Sequence, residues 1–146
     1  MALIYETENF ILESHERPEI DRLEGGHMKI NSKRDILDRT LLSPDEAKEL
    51  MRFTIVAGQA MVSAMTKRGV KIGRINYQDN GNWNPKLHIH LYGRAVDANV
   101  QKSDNPFKPG HQEGFNKLNF EDVEEIRKEI EKLFTQEKYQ DKNWKL

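Results

Sequence analysis

Apolar residues come as short runs over the first thirty positions, at three- and four-residue spacing through the middle, and in strict alternation approaching residue 90. Leu3-Ile4-Tyr5 and Phe10-Ile11-Leu12 flank the polar stretch 6–9 and predict a hairpin of two strands. Residues 13–25 are charged, contain Pro18 and run into Gly25-Gly26, which predicts a loop. His27-Met28-Lys29-Ile30 predicts a brief strand before the basic turn 31–34. At Ser43-Pro44-Asp45-Glu46 a cap residue, a proline at the first helical position and a glutamate three residues after the cap coincide, so a helix is expected over 44–67. Leu50, Phe53, Ala57, Ala60, Met61 and Ala64 form its apolar stripe, Gly69 suits its end, and Met51, Met61 and Met65 read as core packing. Such a stripe requires a sheet to lie on.

Strands are expected over 70–76 and 86–92, joined by a turn-rich loop in which Asn80-Gly81 permits positive φ. Residues 98–114 are polar and hold Pro106, Pro109 and Gly110, which predicts an irregular connection. Carrying Lys108 and His111, it is expected to be mobile without ligand and reads either as a solvated loop or as a lid over a phosphate site. Helical period returns over 121–134, with Val123, Ile126, Ile130 and Leu133 inward.

Composition narrows the function classes. At 146 residues the chain is expected to be one domain, 1–146, with a core over about 2–96 and a C-terminal loop and helix over 97–146. Lys and Arg number 23 against 24 Asp and Glu, with no block of one sign, which disfavours a general nucleic-acid binder and leaves room for a local phosphate site. Cysteine is absent, so disulfides, thiolate zinc sites and a cysteine nucleophile are excluded, and only His and carboxylates remain as metal ligands. Acidic residues interrupt the start, and nothing approaches the roughly 18 apolar residues of a membrane span, so a cytoplasmic location without membrane attachment is expected.

The chemistry concentrates in Lys86-Leu87-His88-Ile89-His90-Leu91-Tyr92-Gly93-Arg94. Its period of two aims Lys86, His88, His90 and Tyr92 at one face, successive side chains roughly 6.7 Å apart, and turns Leu87, Ile89 and Leu91 inward. Such a row suits an anion, and paired imidazoles suit a histidine nucleophile with a helper, a metal pair, or simply a solvated sheet face. The cupin metal pattern wants a carboxylate four residues after the second histidine; Arg94 stands there, and a cation is a poor ligand.

Taken in order, Gly26-His27-Met28-Lys29-Ile30-Asn31-Ser32-Lys33-Arg34, the capped helix, Gly73-Arg74-Ile75-Asn76, Gly81-Asn82 and His88-x-His90-x-x-Gly93-Arg94 resemble the histidine triad (HIT) superfamily of nucleotide-binding proteins and hydrolases over about residues 2–96. The resemblance implies an α+β fold, HIT-like, with an antiparallel sheet of about five strands, a helix packed on it and an extra C-terminal helix. Aligned on Arg94, His88 takes the place of the family's nucleophile, His90 the third histidine and Lys86 the first. In the other register His88 is first, His90 the nucleophile and Tyr92 third, which brings Arg94 too close.

The same resemblance assigns Asn76 and Asn82 to phosphate contacts, Asn82 standing where glutamine is usual. It equates His27 with the family's additional histidine, with Ser32 replacing a proline, makes Glu19 and Asp21 candidates for ribose hydroxyls where their residue types alone read as a charged solvated loop, and points Phe10 and Ile30 at a base pocket. Lys86 is expected to tune the site. The implied function is hydrolysis or nucleotidyl transfer at the α-phosphate of a nucleoside phosphate conjugate, such as a diadenosine polyphosphate or a phosphoramidate, by a homodimer. No metal ligand set is required of the protein, and magnesium can accompany a polyphosphate substrate. A nucleotide-binding module with little turnover and a metal protein built on His88 and His90 remain as alternatives.

Overall fold

The computed structural model describes residues 2–107 and 114–146. Five strands, β1 (Leu3–Glu6), β2 (Phe10–Ser14), β3 (His27–Ser32), β4 (Ile72–Gln78) and β5 (His88–Ala95), form one antiparallel sheet in the order β1-β2-β3-β5-β4. Among the described residues three α-helices accompany the sheet: α1 (Pro44–Lys67) between β3 and β4, then α2 (Phe120–Phe134) and the single turn α3 (Asp141–Trp144).

Helix α1 begins where its signals coincide. The Ser43 hydroxyl accepts from the Glu46 N–H while the Glu46 carboxylate accepts from the Ser43 N–H, closing the capping box. Its stripe of Phe53, Val56, Ala57, Ala60, Met61 and Ala64 is buried with Phe10, Leu12, Met28, Ile30, Ile75, Ile89 and Leu91 of the sheet, in one core. The period of two then leaves the opposite sheet face to Glu13, His27, Lys29, Asn31, Asn76, Gln78, His88, His90 and Tyr92.

Several expectations change. Phe10 and Ile30 are each 1% exposed on the α1 side, so they line the core and no pocket beside the histidines. Met51 is 56% exposed, unlike the buried Met61 and Met65, because it lies off the stripe. Strand β5 starts at His88 because Pro85 has no N–H and the Lys86 N–H is turned to Asn84 Oδ1 at 3.2 Å. Lys86 consequently sits in a bend ahead of the strand.

Helix α2 lies against α1 and β1. Its capping residue Asp122 is fully buried and accepts from both Arg22 and Arg68, and Arg127 donates to the Leu3 and Ile4 carbonyls of β1. Val123, Ile126 and Ile130 complete the core.

One backbone crossing fixes β3 on β5. Gly25 has φ +136°, and a Cβ there would stand 1.9 Å from the Gly93 carbonyl oxygen; one on Gly93 would stand 2.5 Å from that of Gly25. The Gly93 N–H donates to the Gly26 carbonyl at 2.9 Å. Gly25→Ala is therefore expected to cost about 3 kcal/mol or more in urea unfolding. By contrast, the buried Ser32 hydroxyl has no partner among the described residues, and Ser32→Ala is expected to raise stability by about 1 kcal/mol. Wild-type stability in Gly25→Ala would mean that the crossing is not a fixed point of the fold.

Candidate active site

The sheet face opposite α1 gathers the imidazoles, with His27 and His88 buried and His90 half-buried. His27 stands opposite Tyr92 in the β3–β5 ladder, Lys29 opposite His90 and Asn31 opposite His88; on the other side β4 sets Asn76 against Tyr92 and Gln78 against His90. His27 Nε2 and His90 Nδ1 are 2.9 Å apart, and the His88 ring meets the His90 ring edge-on at 4.8 Å between centroids.

Backbone groups at the two ends of this set decide where the protons are. The Lys86 carbonyl, 2.6 Å from His88 Nδ1, can only accept, so Nδ1 carries the hydrogen and neutral His88 has its lone pair on Nε2. The Glu19 N–H can only donate, and it reaches His27 Nδ1 at 3.2 Å. His27 then carries its hydrogen on Nε2 and donates it to His90 Nδ1, which leaves His90 with an Nε2–H. Burial, reinforced by His15, His90 and Lys29, pushes the His27 imidazole well below its ordinary value. Burial, then His88, His15 and Lys29, holds His90 down to about 3. Both rings are neutral near pH 7. Burial and the nearby Glu19 carboxylate raise the Tyr92 phenol.

Arg94 is buried rather than open to a ligand. Its guanidinium donates to the Gln101, Lys102 and Asn105 carbonyls at 3.0, 2.6 and 2.8 Å and to Asn76 Oδ1 at 2.6 Å. The last bond leaves the Asn76 amide with its Nδ2 hydrogens to offer an anion. Phe107 stacks on Tyr92 with centroids 4.2 Å apart, and Glu24 accepts from the Asn99, Val100 and Gln101 N–H groups. The first part of the expected lid is therefore tied down, while Lys108 and His111 lie outside the described residues.

Among the other expected residues, Asp21 is engaged by the Leu23 and Asn116 N–H groups, an N-cap and loop-pinning role. Glu19 reaches the site through its N–H and through the effect of its carboxylate on Tyr92. Asn82 is exposed in the loop before β5, and Lys86, four residues later, is half-buried. Sequence reasoning passed over His15, whose ring stacks on His27 at 4.2 Å and 6°. It lies in a charged stretch with no period to mark it. Gln78 was also missed, although its place two residues after Asn76 on the same strand face was available from the alternation.

His15, His27 and His90 bring one ring nitrogen each within 4.8 Å of one another, the spacing of a possible metal site. The arrangement does not fit a shared ion. Parallel stacked rings aim their in-plane lone pairs at different points, and the Glu19 N–H occupies the His27 nitrogen that would have to carry a hydrogen for Nε2 to ligate.

Residues 1–96 match the family model described as the HIT domain. The chain is similar to a hypothetical histidine triad nucleotide-binding protein from Sulfolobus tokodaii, with 20% identity, a TM-score of 0.62, and coverage of 90% of this chain and 85% of that one. It is also similar to a zinc-bound histidine triad family protein from Mycobacterium smegmatis, with 19% identity, a TM-score of 0.59, and coverage of 91% and 86%. A histidine triad protein from Sinorhizobium meliloti gives 18%, 0.59, 90% and 87%. At these identities the likeness is one of fold. No curated protein matches the chain.

The neutral rings carry a pH signature. An unfolded histidine takes a proton below about 6.5, whereas His27 and His90 resist it in the fold, so stability is present in full above pH 6.5 and is lost as the pH falls toward the folded values. Unfolding near pH 5 is expected to take up about two more protons than unfolding near pH 7.5, and the His27→Gln/His90→Gln double variant to abolish most of that difference. Urea unfolding across pH 5–7.5 measures it. A wild-type stability that is flat over this range would mean that the rings charge within the fold.

Proposed function

The chain belongs to the HIT-domain family, and on that premise we propose that it hydrolyses or transfers a nucleotidyl group at the α-phosphate of a nucleoside phosphate conjugate, with His88 as nucleophile. Membership carries nucleotide binding or nucleotide hydrolysis as the general class of function. The observation that most supports the finer reading is the 2.6 Å contact of His88 Nδ1 with the Lys86 carbonyl, which leaves the Nε2 lone pair for attack.

In the reaction envisaged, His88 Nε2 forms a bond to the α-phosphorus as the phosphorus–oxygen or phosphorus–nitrogen bond to the leaving group breaks. The leaving group departs with that electron pair and gains its proton from solvent. The adduct keeps its Nδ1–H on the Lys86 carbonyl. Water then attacks phosphorus, the phosphorus–nitrogen bond breaks, a proton is released and neutral His88 returns. His90, neutral at working pH, donates its Nε2–H as a hydrogen bond to a phosphoryl or leaving oxygen and orients rather than transfers. Its tautomer also disfavours the other register, because a nitrogen bearing hydrogen has no lone pair for attack. Lys86, Asn76 and Asn82 are proposed to hold phosphate oxygens, and His27 to position His90. Binding without turnover is the second reading, favoured by the bend at Lys86 and the exposure of the shorter Asn82.

We also propose that a second copy pairs along the free edge of β4, where Ile55, Val62, Tyr77 and Leu133 line an open groove of about 630 Å³. No protein-held metal enters the scheme; magnesium is expected only with a polyphosphate substrate.

His88→Ala is expected to lose turnover by orders of magnitude while keeping nucleotide affinity within about tenfold, 1.4 kcal/mol. His90→Ala should be damaged less, Lys86→His should be tolerated, and intact-mass spectrometry after a quench that avoids acid should find the adduct on the His88 peptide. Turnover of a phosphoramidate is expected to survive chelator. Full activity in His88→Ala with loss in His90→Ala would identify His90 as the nucleophile, and full activity in both would end the proposal.

A further inference from the structure

The histidine row has two unlike ends. Beyond Tyr92 it is closed by the stacked Phe107, under which Arg94 ties down residues 101–105. Beyond His88 lies the loop 79–87, which leaves β4 after Gln78, the residue opposite His90, and returns at His88. Its ends are anchored: the Asp79 carboxylate accepts twice from Arg39, at 3.1 and 2.9 Å, and the Leu87 N–H donates to the Ile36 carbonyl at 2.8 Å. Gly81, at φ +68°, makes the turn. At the tip Trp83 is 100% exposed, more than any other large apolar residue described.

An indole wholly in water stands to gain by covering a ring face. Its neighbours Asn82 and Asn84 are exposed and polar, so at the tip itself the indole is the single large apolar group. One ring on an anchored polar loop matches a single planar group. We propose that Trp83 is a specificity residue that stacks on the planar base or aryl group of the leaving half of the substrate. A conjugate with its α-phosphate at His88 extends past the open end of the row, and its second planar group meets the indole there. This inference rests on the functional reading above and makes conjugates with a planar group on both sides of the scissile phosphate the preferred substrates.

The test compares two substrates that share an adenylyl half: a diadenosine polyphosphate, and adenosine phosphoramidate, whose leaving group is ammonia. Trp83→Ala, at a fully exposed site, is expected to lower kcat/KM about tenfold on the first, the size of one base–aromatic stack, and to stay within about twofold on the second. Trp83→Phe should recover most of the loss. Equal loss on both substrates, or loss on neither, overturns the assignment. Fluorescence separates this outcome from failure of the functional reading. Trp83 and Trp144 are the two tryptophans, and a diadenosine polyphosphate should quench wild-type emission but leave that of Trp83→Phe nearly unchanged. If neither substrate is turned over, the hydrolase reading fails while that quench still upholds the stacking role; absence of quenching, or quenching that persists in Trp83→Phe, removes it.

Discussion

Everything on the histidine face depends on two backbones approaching where no side chain fits. Because Gly25 and Gly93 carry none, the segment entering β3 presses onto β5, and the Gly93 N–H is close enough to bond the Gly26 carbonyl. That contact sets the ladder so that His27 falls opposite Tyr92, within 2.9 Å of His90. A shift of β5 by one residue would turn His88 and His90 into the core and set Leu91 in water. The glycines are thus part of the site, although they offer it no functional group.

From that register follows an arrangement of protons held by main-chain atoms. An N–H at Glu19 and a carbonyl at Lys86 are groups whose hydrogen-bonding sense cannot change, and they bracket rings that otherwise have a choice of tautomer. Burial supplies the second half of the constraint, since charging His27 or His90 would strand a cation among Lys29 and other imidazoles. Arg94 acts at one remove, fixing Asn76 by its oxygen while holding 101–105 against the sheet.

How much of this was legible in the chain depended on range. The helix 44–67 was readable to the residue because its capping box and proline act within one turn. The shared face of His88, His90 and Tyr92 was readable because period two is local. Ile30 was misjudged although its parity with Met28, opposite to that of His27, already turned it toward the core; Phe10 was harder, since Phe10-Ile11-Leu12 is apolar at both parities. The burial of Arg94, the stack of His15 on His27 and the bond between His27 and His90 join residues distant in sequence, and no spacing rule encodes them.

The place of α2 has a consequence for the order in which the chain can reach this state. Residues 1–96 contain every strand and every histidine described, yet Val123, Ile126 and Ile130 belong to the same core, and the buried carboxylate of Asp122 is the shared partner of Arg22 and Arg68. During synthesis the sheet is therefore out of the ribosome while one side of α1 is still wet and two guanidinium groups lack their acceptor. Final packing waits on residues 120–134, and a nascent chain stalled before them presents its apolar helix face to whatever else is in solution.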